Sequence, residues 1–284
     1  MTNTLAQVTS LFSEDFSTFK VVLKEIIKSY DNSLREDLFN FVFCNAKFLR
    51  PRFVFLFSKI LNINDDNIIK IAVASELLHN ASLIHDDIID NSYLRRRLPT
   101  FNKKFNSKTA VLMGDLLLAG ALEVLTDTTR NILKIFSDKI FKTIQGEIKQ
   151  NENYKKITSV DTYLNKTFSK TGNLFFAGLE SLFTLKNIDE KLKDRLKFYL
   201  KNYCLAFQIQ NDIDDVDFDF ENGNYTLPFI YYFCDNEVFD KNNMEKYILK
   251  SKTEVLNHKT KAKEAIGNIN DKYKKALFKL VDII

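Results

Sequence analysis

Residues 76–100 decide how the chain reads: Glu76-Leu-Leu-His79-Asn-Ala81-Ser82-Leu-Ile-His85-Asp86-Asp87-Ile-Ile-Asp90-Asn-Ser-Tyr-Leu-Arg95-Arg96-Arg97-Leu-Pro99-Thr100. As far as Asp90 they continue an apolar stretch from Ile68 that contains no Gly or Pro, so they form the end of a long helix. Asp86 and Asp90 are four residues apart, which puts both carboxylates on one face about one turn apart, where like charges repel. They also oppose the helix dipole at that end. A polar helix terminus entering a loop does not account for this placement. A hard divalent cation does, because Mg²⁺ prefers oxygen ligands and is held by one or two carboxylates together with substrate phosphates. Three arginines follow at once. The chain has 41 basic residues, only eight of them arginine, and five of those (Arg50, Arg52, Arg95, Arg96, Arg97) lie between residues 50 and 97. Arginine offers a planar fork that grips phosphate or carboxylate, whereas lysine is a point charge. The clustering points to an anion site, with chance clustering and surface salt bridges as the plainer explanation.

The rest of the chain belongs to the same structural class. Its 284 residues include seven Gly and three Pro, where average usage gives roughly 34 in all. Tight turns are therefore scarce, which disfavours sandwiches and barrels of short strands. A doubly wound sheet is disfavoured too, for want of a glycine-rich phosphate loop. Helical periodicity predicts helices over 15–30, with Phe16, Phe19, Val22, Leu23, Ile26 and Ile27 on one side, and over 67–90, 108–125, 130–150, 159–184, 189–216, 243–258 and 259–284. The stretch 108–125 is apolar nearly all round, which predicts a helix buried in the middle of a bundle. The expected architecture is all-α: one domain over residues 1–284, a bundle of long helices around a deep central cavity.

Several classes are excluded. Cys44, Cys204 and Cys234 are scattered and odd in number, which argues for a reducing compartment and against a disulfide framework. With three His as well, a Cys/His zinc site has almost no material. No signal peptide and no membrane-length apolar run is legible, so the expected location is the cytoplasm. The net charge of +4 is weak evidence for any partner. No nucleic-acid motif is present, and the Lys-rich stretch 241–279 reads as one solvated helical face.

A second acidic cluster is Phe207-Gln208-Ile-Gln-Asn211-Asp212-Ile-Asp214-Asp215, in which Gln208, Asn211, Asp212 and Asp215 share a helix face. Two carboxylate clusters on separate helices can face each other across a cavity and hold Mg²⁺ ions and a diphosphate. Arginine and lysine can hold a second diphosphate directly. Two anions, metal and an apolar helical cavity suit ionisation of an allylic diphosphate and capture of the carbocation by an alkene.

From about residue 45 to 230 the chain resembles the trans-isoprenyl diphosphate synthases, the polyprenyl synthetase family. The carriers are Glu76 to Asp90 around DDxxD, Arg95-Arg96, Pro99-Thr100, Gly114-Asp115, Gly146-Glu147, Tyr163 with Lys170-Thr171, the second Asp-rich motif from Phe207, and Thr226-Leu227-Pro228. The resemblance implies that Asp86 and Asp90 bind Mg²⁺ on the allylic diphosphate, with Asp87 in support. Asp212 and Asp215 hold a further Mg²⁺. Arg95, Lys170, Thr171 and Gln208 take the allylic substrate. Lys47, Arg50, His79 and Arg96 bind isopentenyl diphosphate. It also implies a homodimer, and transient contact of the hydrophobic product with a membrane surface.

The chain departs from the family pattern at Asn211, which replaces an Asp, and at Asn45-Ala46, which replace a Gly pair. Arg97 replaces a Gly, and a short connection from Val216 to Tyr225 lacks the family's Gly-Lys pair. In the family, bulk before the first motif limits product length. Ala81 and Ser82 are small there, so the resemblance predicts a long-chain product of the octaprenyl type, longer than geranylgeranyl. The alternatives are a short-chain farnesyl or geranylgeranyl diphosphate synthase, a non-catalytic or regulatory subunit of a hetero-oligomeric prenyltransferase, and a class I terpene cyclase. Lys47, Arg50 and His79 oppose the cyclase.

Overall fold

Start signals in the sequence set where the long helices begin. Asn106 accepts a hydrogen bond from the backbone N–H of Thr109 at 2.9 Å, Ser159 from Thr162 at 3.2 Å, and Asp189 from Leu192 at 3.1 Å. Each satisfies a backbone donor that a helix start leaves without an intrahelical partner. The structure, a computed structural model, describes residues 2–30, 33–152, 157–221, 223–267 and 269–284, without the side chains of residues 2 and 149–152. The elements up to the middle of the chain are α1 (Thr2–Thr9), α2 (Ser13–Ser29), α3 (Arg35–Phe43), α4 (Leu49–Leu61), α5 (Asn67–Ile89), β1 (Leu94–Arg95), β2 (Leu98–Pro99), α6 (Phe101–Lys104) and α7 (Ser107–Thr126). They continue with α8 (Arg130–Glu152), α9 (Val160–Thr167), α10 (Asn173–Leu185), α11 (Glu190–Asp214), α12 (Val216–Glu221), α13 (Leu227–Asp235), α14 (Met244–Ala265) and α15 (Asp271–Asp282).

The chain divides into two compact units. The first comprises residues 2–136 and 177–187. Here α5 packs along α7 and α4. It is buried nearly all round from Ile71 to Leu78, as expected of a helix without a polar face. Phe16, Phe19, Leu23 and Ile27 of α2 point inward. With Phe48 and Phe55 the first two form an aromatic cluster with ring centroids 5.6–6.3 Å apart, in the range favoured for edge-on and tilted packing. The second unit comprises residues 137–176 and 188–284. Here α11 packs along α14 and against α13, with Tyr163, Ile209, Leu227, Phe229, Tyr232 and Tyr247 in its core.

Four features differ from the sequence expectation. The helix over 159–184 is interrupted, because Phe168–Gly172 opens into a π-turn between α9 and α10. The C-terminal break falls at Gly267, whose φ of +44° is easy for glycine, so α14 runs on to Ala265. The connection from Val216 contains a short helix, α12; Asn222 within it lies outside the described residues.

The fourth difference concerns α7. It is not buried on all sides: Val111, Leu112 and Leu122 are 41%, 63% and 40% exposed. The helix is 20 residues long and holds an 18-residue window of mean hydropathy 1.6, so it is long and apolar enough to cross a membrane by length and composition alone, contrary to the sequence expectation. A high mean hydropathy does not reveal how many sides of a helix have neighbours. α7 packs chiefly on α5, with a smaller contact to α6.

Candidate active site

The first carboxylate pair sits where α5 ends. Asp86 and Asp90 are half-buried at the last turn, and Asp90 caps it with its backbone N–H on the carbonyl of Asp86 at 2.8 Å. This end of α5 is held against α7 through a glycine. Gly114 lets the imidazole of His85 occupy the place of a side chain, and a Cβ there would lie 2.3 Å from its Nε2. The same nitrogen stands 3.4 Å from the carboxylate of Asp115. Asp87 turns away from its two neighbours. It is buried, and its Oδ1 accepts hydrogen bonds from Arg95 Nε at 3.0 Å and Nη2 at 2.6 Å. Burial raises its pKa, and the nearby Asp86 and Asp90 push the same way, while Arg95 opposes them. The backbone carbonyl of Asp87 also takes Asn102 Nδ2 at 3.1 Å, and Thr100 Oγ1 donates to the carbonyl of Ser92 at 2.7 Å. Asp87 therefore positions Arg95 and the segment behind it.

That segment is a two-residue hairpin. Leu94 pairs with Pro99 and Arg95 with Leu98, leaving Arg96 and Arg97 as the turn residues with φ of +52° and +71°. Positive φ at both central positions is the mirror-image turn that fits strand twist, and it favours Gly or Asn. The departure at Arg97 thus keeps a glycine-like backbone. The same holds before Lys47, where Asn45 has φ +52°, in the conformation that Asn tolerates best after Gly. Phe48 at φ +47° is held there by Phe16, Phe19 and Phe43 around its ring.

Four groups gather in the first unit around Glu76. Its carboxylate is buried, and Oε1 accepts from Asn80 at 3.0 Å. Burial raises its pKa, and the positive charges of Arg50 and Arg96 oppose the rise. His79, one turn on, is held well below the usual histidine range by burial and then by Arg50, Arg96 and Arg95, so it is neutral at pH 7. Arg96 also donates to the carbonyl of Phe41 at 3.1 Å, at the end of α3. Lys47 is exposed and Arg50 half-buried. Arg52 does not join the anion cluster. It is buried, donates to the carbonyls of Lys47 at 2.8 Å and Leu5 at 3.1 Å, and stacks on Phe16.

In the second unit the π-turn presents Lys170 and Thr171. Gly146 of α8 allows the close approach, since a Cβ there would meet Ser169 at 3.3 Å, and Glu147 beside it pairs with Lys170 at 3.3 Å. π-turns are frequent at functional sites. A hydrogen-bonded line then runs across to α11. Thr171 Oγ1 donates to Gln208 Oε1 at 2.8 Å, Gln208 Nε2 to Asp212 Oδ1 at 2.8 Å, and Tyr163 O–H to Asp212 Oδ2 at 2.5 Å. Burial pushes the pKa of Asp212 up to about 6, against Tyr163, Gln208, Lys166 and Lys170. Asp215 is the exposed C-cap of α11. Among the described residues no three His, Cys, Asp or Glu side chains converge to hold a metal by themselves.

A polyprenyl synthetase family model matches residues 32–266. The chain belongs to the polyprenyl synthetase family. It is 30% identical over 239 residues to a prenyl transferase of Cyanidium caldarium, covering 78% of this chain and 74% of that one. It is 30% identical over 235 residues to heptaprenyl diphosphate synthase component 2 of Bacillus subtilis, covering 78% and 68%. Its fold is that of a decaprenyl diphosphate synthase from Rhodobacter capsulatus, with TM-score 0.89, 22% identity and 98% of each chain covered. The protein is accordingly a prenyltransferase.

Within this polyprenyl synthetase, the structure brings Asp86, Asp87, Asp90 and Arg95 together at one end of α5, and His79, Arg50 and Arg96 around Glu76. Lys170, Thr171, Gln208 and Asp212 form the second group. Sequence reasoning quoted Glu76, Glu147 and Tyr163 as motif letters without giving them roles. Lys166 is half-buried, with Glu147, Lys170 and Asp212 near enough to act on its charge. Its placement one turn after Tyr163 was the available signal.

Two outcomes follow from these environments. Arg97→Gly should stabilise the fold by about 0.5–1 kcal/mol in urea unfolding, because Gly relieves the positive φ at some cost in unfolded-state entropy; a loss of stability would show that the Arg97 side chain contributes. For Asp212, a folded pKa raised from 3.8 to about 6 means that the folded chain holds more protons between those pH values, so stability falls as pH rises through them. At pH 8 the ionised group costs on the order of 2–3 kcal/mol. In metal-free buffer Asp212→Asn should melt no lower than the natural protein at pH 8, with any advantage shrinking at pH 5, while prenyl transfer falls. A lower melting temperature at both pH values would refute that environment.

Proposed function

We propose that this prenyltransferase is a Mg²⁺-dependent polyprenyl diphosphate synthase, a single domain over residues 1–284. It joins isopentenyl diphosphate to an allylic diphosphate and makes a long-chain product for isoprenoid, and specifically quinone side-chain, synthesis in the cytoplasm. The observation that carries this reading is the end of α5. Two carboxylates one turn apart lie beside an arginine held by Asp87, and among the described residues no group of three His, Cys, Asp or Glu completes a cage. That donor set fits Mg²⁺, which keeps waters and takes substrate phosphate oxygens. Asp86 and Asp90 would hold it in the first unit, and Asp212 and Asp215 in the second. Bound there, Mg²⁺ supplies Lewis acidity to a diphosphate leaving group.

The chain's own side chains do the rest. Arg95, steered by Asp87 in the first unit, offsets the charge that grows on a departing diphosphate as its C–O bond breaks. In the second unit Lys170, steered by Glu147, supplies positive charge for a diphosphate, with Gln208 and Thr171 in the polar line to Asp212 beside it. Lys47, Arg50 and Arg96 hold the diphosphate of isopentenyl diphosphate. Neutral His79 donates a hydrogen bond there without adding charge. The alkene then forms the new C–C bond, and the lost proton leaves with the released diphosphate. Ala81 and Ser82, five and four residues before Asp86, leave room for a growing tail, which supports a long product.

The exposed apolar face of α7 supports a homodimer. Val111, Leu112 and Leu122 in water are costly for a lone chain and suit a two-fold interface. The similarity to a component 2 favours a second reading, in which the partner is a different subunit.

Purified protein should incorporate labelled isopentenyl diphosphate with Mg²⁺ and an allylic primer, and Asp86→Ala should lose at least about a thousandfold in rate, as for a group acting on transition-state charge. Failure with every primer would point to the two-subunit reading. Cyclic hydrocarbon from primer alone would point to a cyclase. Independently, sedimentation should show a dimer that Leu112→Glu converts to monomer; an unchanged dimer would place the interface elsewhere.

A further inference from the structure

The Lys-rich stretch 241–279 reads in sequence as one solvated face, and in the structure its lysines are all exposed or half-buried but spread over more than one helix. It forms α14 and α15, and α14 has a regular inner side: Tyr247, Ser251, Val255, His258 and Ala262 are buried, with α11 as the main neighbour. On the opposite side stand two leucines two turns apart, Leu249 and Leu256, 65% and 63% exposed. On the helical wheel Lys252, Lys259 and Lys263 flank them on one side and Lys246 on the other, Lys263 paired with Asp282 at 2.5 Å and Lys246 with Asp235 at 3.4 Å. The charge is concentrated here. Residues 241–279 hold eleven lysines against four acidic residues, an excess of seven, while the whole chain carries +4, so the remainder carries a net −3.

A helix with an inward apolar side and a water-facing side of leucines between lysines has one well-matched surface. The leucines reach into an acyl boundary while lysine stems lie along it and their ammonium groups meet anionic headgroups. We propose that the outer face of α14, continued by α15, docks this protein on an anionic lipid membrane. Charge complementarity selects this occupant. A second copy of the chain would bring the same excess of lysine against itself, and neutral lipid would leave the net positive charge of the segment unmatched. Why such docking is useful rests on the long-chain reading: a polyprenyl diphosphate leaves water for a bilayer, so a synthase resting on the bilayer releases product into it. The docking itself stands on the side chains alone and is measured without substrate.

The test uses the full chain and two kinds of vesicle, phosphatidylcholine alone and phosphatidylcholine mixed with phosphatidylglycerol. The protein should sediment with the anionic vesicles and not with the neutral ones, and high salt should release it. Leu249→Ser/Leu256→Ser, and separately Lys252→Glu/Lys259→Glu, should each weaken vesicle binding about tenfold or more, with melting temperature and prenyl transfer in detergent unchanged. No sedimentation with anionic vesicles, equal binding to neutral ones, or undiminished binding by both variants would overturn the proposal. So would a change in the oligomeric state of the vesicle-free protein caused by the leucine variant, which would assign the face to a second copy. A protein that binds vesicles but makes no prenyl product would leave the docking standing and remove the reason offered for it.

Discussion

The ion pair between Asp87 and Arg95 is the constraint on which the first half of the site depends. Asp87 is all but sealed from water, so its charge is tolerated only while Arg95 donates to it. Removing the partner of a buried charge typically costs about 3–5 kcal/mol. The pair does more than neutralise. It fixes the start of the hairpin, and the hairpin fixes Arg96, whose guanidinium reaches the end of α3 and lies near Glu76. One buried carboxylate thereby sets two arginines at the end of α5, and leaves Asp86 and Asp90 as the half-buried members of the motif.

The second unit solves the same problem by another route. Asp212 is buried, has no direct salt bridge among the described residues, and accepts hydrogen bonds on both oxygens, from Tyr163 and Gln208. The cost of that burial appears in its raised pKa. A carboxylate that is expensive to ionise gains most from a nearby positive charge, and Lys166 and Lys170 supply part of it here. The π-turn has the same economy. It gives up regular helix hydrogen bonding over five residues and in return sets Lys170 against Glu147 and Thr171 against Gln208.

The helical class and most helix positions were legible because burial on one side leaves a period in the sequence. α2 and α5 follow it closely. The failures share one cause. Periodicity reports that a helix has an apolar side, not whether a neighbour covers it, so α7 read as buried and is partly bare. The lysines of α14 read as a uniform solvated face, because Leu249 and Leu256 are too sparse to break the pattern. The site was legible as a set of residue types at fixed spacing. The supporting groups, Glu76, Glu147, Lys166 and Tyr163, were not given roles, since each is an ordinary residue until a partner distant in sequence stands beside it.

By itself the sequence determined the all-α class, the two carboxylate clusters and the cationic residues that accompany them, because helical spacing alone places Asp86 with Asp90 and Gln208 with Asp212. It also marked the glycine departures at Asn45 and Arg97. Only the tertiary structure decided what those mean: both positions keep the positive φ of a glycine, so the turn survives the substitution. Only the structure separated Asp87 from its neighbours and removed Arg52 from the anion cluster. The reason is physical. Spacing fixes which side chains share a face, while burial and long-range hydrogen bonds decide which of them stay charged, which are occupied, and which remain available to a ligand.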